Sequence, residues 1–175
     1  SDEDYLCMGC SSPHTEYDKC TIKKRVIKMY SKFDNVFFFT CTIVDWNIVF
    51  VEDVYSQVIV ESLTYLSKER CDIYAFVIMP NHIHLLLSLK SEDKCIFQRD
   101  FLKFTSQQIL KIFRTDANYR LNQYVSPYKS KKYQIWKSKP FWVEINDAKQ
   151  FYIKLDYIHN NPMSGKWHLA NSVLD

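Results

Sequence analysis

Glycine is nearly missing from this 175-residue chain, occurring only at Gly9 and Gly165. A phosphate loop of the P-loop or dinucleotide-binding kind is thereby excluded, because both need several glycines close together. Long apolar runs are missing too. No stretch approaches the roughly 20 apolar residues of a membrane span, and the opening SDEDYLCMGC carries no signal-peptide pattern. The expectation is a cytoplasmic protein with no membrane partner. A strong charge of one sign is also lacking: the net charge of +3 is mild, so only its distribution can point to nucleic acid. What is abundant is apolar material, 47% hydrophobic and 16% aromatic. That argues against disorder in the body of the chain and allows one domain with a sizeable core.

Composition divides the chain into a polar leader, residues 1–34, and a single domain, residues 35–175. The leader starts acidic and ends near the basic run KKRVIK, Lys23 to Lys28. Within it, Cys7, Cys10, His14 and Cys20 form C-x2-C-x3-H-x5-C. The pattern admits a structural zinc ion, or a flexible leader with reduced thiols, since the second half lacks the usual paired spacing. Cys41, Cys71 and Cys95 stand singly and read as buried thiols or element ends.

The body reads as strands and helices that are mixed and not strictly alternating. NVFFFTCTIV, Asn35 to Val44, is β-branched and aromatic and predicts a strand. DVYSQVIVESLTYLSKER predicts a helix whose apolar positions include Val54, Val58, Leu63 and Leu66. DIYAFVIM and HIHLLLSL predict two antiparallel strands joined by a turn at Pro80 and Asn81. A second long helix is expected from Ile96 to Arg114, and a last one after Asp147, whose side chain can cap it before Pro162 ends it. The fold class is α+β, an antiparallel sheet with helices packed on it, and the hairpin whose second strand bears the histidines should be central.

That strand raises a chemical question. His82 and His84 sit two positions apart in a mostly apolar run, so on a strand they share one face while Ile83 and Leu85 point to the other. Two readings fit: core or surface histidines satisfied by hydrogen bonds, or a pair of imidazoles holding a divalent metal that still needs a third ligand. A second feature lies in YIHNNP. Tyr157 and Asn161 are one helical turn apart and project together. Tyr157 is either an aromatic packed on the sheet or a nucleophile beside a metal-bound phosphate, and Asn161 either ends the helix or completes the metal site.

Val125 to Trp142 interleaves Lys129, Lys131, Lys132, Lys137 and Lys139 with Tyr128, Tyr133, Trp136, Phe141 and Trp142, and contains no acid. Cations for phosphates and aromatic planes for bases are the single-strand nucleic-acid combination. The alternative is a solvated basic loop whose aromatics tuck into the core. Lys103, Lys111 and Arg114 on the preceding helix either extend that surface or form its wet side.

The strand ending MPNHIHLLL, followed by LDYIHNNPMSG, resembles the HUH-class single-strand DNA transposases, more narrowly the REP-associated tyrosine transposases and their insertion-sequence relatives. The resemblance runs from about Asn35 to Trp167 and does not cover the leader. It implies a ferredoxin-like, RRM-like sheet. It also implies a metal site at His82 and His84, completed by Asn161 and holding magnesium or manganese, with Tyr157 as the catalytic nucleophile. The activity implied is metal-dependent cleavage and strand transfer of single-stranded or hairpin DNA through a 5′-phosphotyrosine, by a monomer or a homodimer. A small metallohydrolase is the competing enzyme class, and it lacks an evident supply of Asp or Glu ligands beside the strands. A domesticated hairpin DNA-binding protein without transposition is the non-enzymatic alternative.

Overall fold

The computed structural model describes residues 33–91, 93–115 and 121–163, all within the unit Phe33–Asp175. Residues 1–32 of the leader, with its cysteine–histidine set, lie outside the described residues. The first strand, β1, spans Val36–Thr42. It leads through a 3-10 turn, Val44–Trp46, into helix α1, Asp53–Glu69. Strands β2, Cys71–Met79, and β3, His82–Leu89, follow. Helix α2 covers Lys94–Thr115, strand β4 covers Phe141–Glu144 and helix α3 covers Ala148–Asn160. A closing 3-10 turn, Asn161–Met163, contains Pro162.

The sheet order is β2-β3-β1-β4, with every neighbouring pair antiparallel. The histidine strand β3 is therefore bonded on both edges, whereas β2, the other strand of that hairpin, lies at the sheet edge. The expectation of a central hairpin holds for β3 alone. Alternation divides the residues between two faces. Phe37, Phe39, Cys41, Ile83, Leu85 and Leu87 belong to the main core with α1 and α2. Edge-to-face contacts of Phe39 with Phe97 and Phe101, at 5.9 and 6.2 Å, fix α2 across that face. The opposite face carries Phe38, Thr40, His84 and Leu86 in register and is covered by α3, whose Phe151, Leu155 and Ile158 are buried.

Local chemistry sets the helix ends. Asp93 Oδ1 accepts from the Cys95 and Ile96 amides at the start of α2. Asp147 Oδ1 accepts from the Gln150 amide at 2.7 Å, and Gln150 Oε1 accepts in return from the Asn146 amide. The reciprocal arrangement satisfies amides that the first turn leaves without helical partners. The cap expected at Asp147 is thus present.

Two expectations fail. Val54 is 47% exposed, because the buried stripe of α1 is Tyr55, Val58, Ile59, Ser62, Leu63 and Leu66. At about 100° per residue, Val54 falls well off that stripe. The second concerns β4, which sequence patterning did not separate from the basic stretch. It pairs Phe141 to Glu144 against Phe37 to Thr40 and sets a half-buried Trp142 against the core. The indole packs 4.4 Å from Phe39 and donates its N–H to Gln98 Oε1 at 2.9 Å.

Candidate active site on the helix α3 face

The β2–β3 turn is held from outside the hairpin. Pro80 O accepts from the Val49 and Phe50 amides, and Asn81 O accepts from the Ile43 amide at 2.9 Å. These bonds tie the turn to the segment leaving β1, so His82 begins from a fixed point. Asn81 itself is only 3% exposed. Its Nδ2 donates to Trp46 O at 3.1 Å, which fixes the orientation of the amide. Oδ1 then faces His82 Nδ1 at 2.7 Å. An amide oxygen only accepts, so the His82 proton must be on Nδ1 and the lone pair on Nε2.

His84 lies across β1 from Thr40, and its Nδ1 is 2.7 Å from the Thr40 hydroxyl. Its ring stacks on Phe38 at 5.3 Å and meets the His82 ring edge-on at 4.9 Å. Both imidazoles are therefore anchored through Nδ1 to a neighbouring oxygen, with Nε2 left for chemistry. Burial lowers both pKa values. For His84, burial, then His82 and then Lys154 push it down to about 3 from its usual 6.5, while burial alone acts on His82. Both are neutral at pH 7, the form that ligates a metal.

Helix α3 brings Tyr157 to this pair. Its phenol oxygen is 3.5 Å from His84 Nε2, and its ring meets Phe38 and His84 edge-on at 5.8 and 5.2 Å. The residue remains 46% exposed. Asn161 falls one turn later, 7% exposed, in the closing 3-10 turn beside β2. Among the described residues no cluster of three His, Cys, Asp or Glu side chains is placed to hold a metal. The donor set fits a divalent ion only as an open site of two imidazoles, the remaining positions going to oxygens. Outer oxygens on both Nδ1 atoms are the usual support for such ligands.

Sequence reading missed Lys154 and Trp46. The Lys154 ammonium lies 4.7 Å from the Phe38 ring centre and 5.8 Å from that of Tyr157. Its spacing of three residues before Tyr157 on a helix was the available signal. Trp46, with its ring centre 6.3 Å from that of His82, gave none.

The proposed DNA contacts separate on the structure. Lys137 reaches the site, its ammonium 3.9 Å above the Trp46 ring. Lys129, Lys131 and Lys132 are exposed on a loop closed by the Val125–Tyr133 bridge, and Lys139 is exposed just before β4. Lys103 projects from α2, in the layer on the far side of the sheet from the histidines. Trp136 requires correction as a base-stacking residue. It is 4% exposed, stacks on Phe50 at 5.7 Å and donates its N–H to Thr105 Oγ1 at 2.9 Å. A buried indole has no face left for a base, and its polar end needs an internal acceptor.

The sheet-and-helix fold of this chain is similar to folds seen among solved transposase structures. A REP-associated tyrosine transposase bound to a REP hairpin superposes with a TM-score of 0.54 at 19% identity, over 76% of this chain and 69% of that one. A protein from Deinococcus radiodurans R1 named as a candidate transposase gives 0.46 at 16% identity, over 71% and 88%. The chain thus has the fold of the REP-associated enzyme, and the α+β class read from the sequence stands. No family model matches the chain, and neither does any curated protein. Among the described residues no helix is long and apolar enough to cross a membrane.

Proposed function

We propose that the protein is a metal-dependent, HUH-type endonuclease and strand transferase acting on single-stranded or hairpin DNA, with Tyr157 as its nucleophile. The observation that carries this reading is the 3.5 Å approach of the Tyr157 oxygen to His84 Nε2. Two motifs more than 70 residues apart meet, with Tyr157 and the His82–His84 pair on one face. The hairpin bound by the structural neighbour supports the substrate class.

His82 and His84 would hold magnesium or manganese through Nε2, with Asn161 as the expected third donor. Imidazole donors tilt the site toward manganese over magnesium in vitro. A bound ion would supply Lewis acidity, polarising the phosphate oxygens. Tyr157 gives its phenolic proton to solvent and attacks phosphorus. The P–O3′ bond breaks as the P–O(Tyr) bond forms, and the departing 3′ oxygen takes a proton to become a free hydroxyl. A second 3′-hydroxyl then attacks the 5′-phosphotyrosine, returning the phenol and rejoining the strands without nucleotide energy. Lys154, whose ammonium lies 5.8 Å from the Tyr157 ring centre, would offset phosphate charge during both steps.

The test is incubation with labelled hairpin DNA carrying single-stranded flanks, plus manganese. A covalent protein–DNA species should form, with mass spectrometry placing the nucleotide on Tyr157. Tyr157→Phe keeps the ring contacts and removes one oxygen, so it should bind DNA and form no adduct. DNA binding with no adduct in the parent protein would favour the domesticated DNA-binding reading. A nucleotide on Tyr152 or Tyr133 would sink the assignment.

A further inference from the structure

Trp46 is held in an unusual way for a surface aromatic. It is 56% exposed, yet Asp45 and Trp46 both adopt left-handed backbone angles, with φ of 53° and 58°. Neither is glycine, so the conformation is costly and persists only because the surroundings impose it. The imposing contacts are visible. The Trp46 amide donates to Ile43 O at 3.1 Å, and the Trp46 carbonyl accepts from Asn81 Nδ2. Asn81 is the residue that orients His82. One short chain of bonds therefore runs from the Trp46 backbone to the imidazole, and the indole stands edge-on beside that imidazole.

Lys137 arrives from a different segment. The Ile43–Trp136 bridge and the bond from the Lys137 amide to Thr42 O lock that segment against the end of β1. Its ammonium lies over the indole. A lysine cation on a flexible stem can leave the ring for a phosphate, whereas the bonded Trp46 backbone and the edge-on His82 ring hold the root of the indole beside the site. A fixed aromatic plane with a mobile cation beside it is the donor set for one unpaired nucleotide.

We infer that Trp46 and Lys137 form a nucleotide subsite beside the histidine pair, in which an unpaired base of single-stranded DNA stacks on the indole and Lys137 takes the adjoining phosphate. The inference rests on the DNA reading above and names where the strand next to the reacting phosphate is held. Stacking on an aromatic face discriminates little between bases, so the subsite positions the strand and leaves sequence choice to other contacts.

Fluorescein-labelled oligothymidylate with the full-length protein tests this, anisotropy reporting affinity and indole emission reporting stacking. Trp46→Ala should weaken binding roughly 5- to 150-fold, the span of one stacked base, while Trp46→Phe recovers most of it. Emission quenching on DNA addition should vanish in Trp46→Phe although anisotropy still reports binding. Lys137→Ala should lower the salt slope by about one unit. Equal affinity of Trp46→Ala and the parent, with unchanged melting temperature, overturns the subsite alone, as does quenching that survives Trp46→Phe. A parent protein that binds no single-stranded DNA overturns the DNA reading and this inference with it.

Discussion

Replacing Asn81 with alanine removes two hydrogen bonds from a side chain that is 3% exposed, one to Trp46 O at 3.1 Å and one from His82 Nδ1 at 2.7 Å. The Trp46 carbonyl lies on an exposed residue and can turn to water. His82 is partly buried and has no comparable substitute, so the cost should be about 1–3 kcal/mol of folding stability. The chemical effect is more specific. Without an acceptor at Nδ1, the imidazole proton moves to Nε2, the atom facing the ligand position, and metal affinity should fall about 10- to 100-fold. Asn81→Asp separates the two roles. It keeps the acceptor for Nδ1–H, loses the donor to Trp46, and places a carboxylate where it raises the His82 pKa. Nitrogen-15 NMR of the imidazoles at pH 7 reads the tautomer without metal, and calorimetry with manganese reads affinity. The expected pattern is Nδ1–H in the parent and in Asn81→Asp, and predominantly Nε2–H in Asn81→Ala. An Nδ1–H tautomer that survives in Asn81→Ala refutes the reasoning, because some other group would then be setting the proton.

The remaining expectations concern acid and the buried indole. His84 has a folded pKa of about 3 against 6.5 unfolded, so the unfolded chain takes up the proton first and stability is lost as pH falls below 6.5. Between pH 6.5 and 5 the loss should be about 2 kcal/mol at 1.36 kcal/mol per unit. Urea unfolding of the metal-free protein at pH 7 and 5 measures it, and His84→Gln should remove most of the difference; an unchanged difference would refute the assignment. Trp136→Phe should cost about 1–3 kcal/mol in the same assay, through the lost bond to Thr105 and the space left behind. Its affinity for single-stranded DNA should match the parent's, and weakened binding without lost stability would return Trp136 to the DNA surface.

How far the sequence could be read differed between elements for identifiable reasons. The histidine pair, the Pro80–Asn81 turn and the Asp147 cap were legible because each depends on near neighbours: strand alternation, a two-residue turn and a side chain three residues from its amide. The four-residue β4 was not, since it is too short for a period and opens inside a lysine-rich stretch. The tryptophans show the limit most clearly. Trp136, among lysines, reads as a surface ring and is buried, whereas Trp46, between Asp45 and Asn47, gives no pattern and is exposed. What separates them is tertiary. Thr105 on α2 offers the Trp136 N–H an internal acceptor, and the left-handed turn at Asp45 and Trp46 points the other indole outward.

The position of β3 between β1 and β2 has a consequence for how the chain can change. A strand paired on both edges cannot shift by one residue without breaking two ladders, and such a shift exchanges its faces. Ile83 and Leu85 would then stand beneath Tyr157, and both imidazoles would enter the apolar layer under α1 and α2. A register shift of β3 as a whole would thus erase the core and the candidate site together. One extra residue can instead be absorbed locally as a bulge, as happens between Ile73 and Ala75 of β2. A loop-borne site can drift by gaining or losing residues while its scaffold survives. Along β3 that route is narrow, because an added residue must bulge out between two paired neighbours. Substitutions that preserve chain length are the simpler way to vary the histidine face.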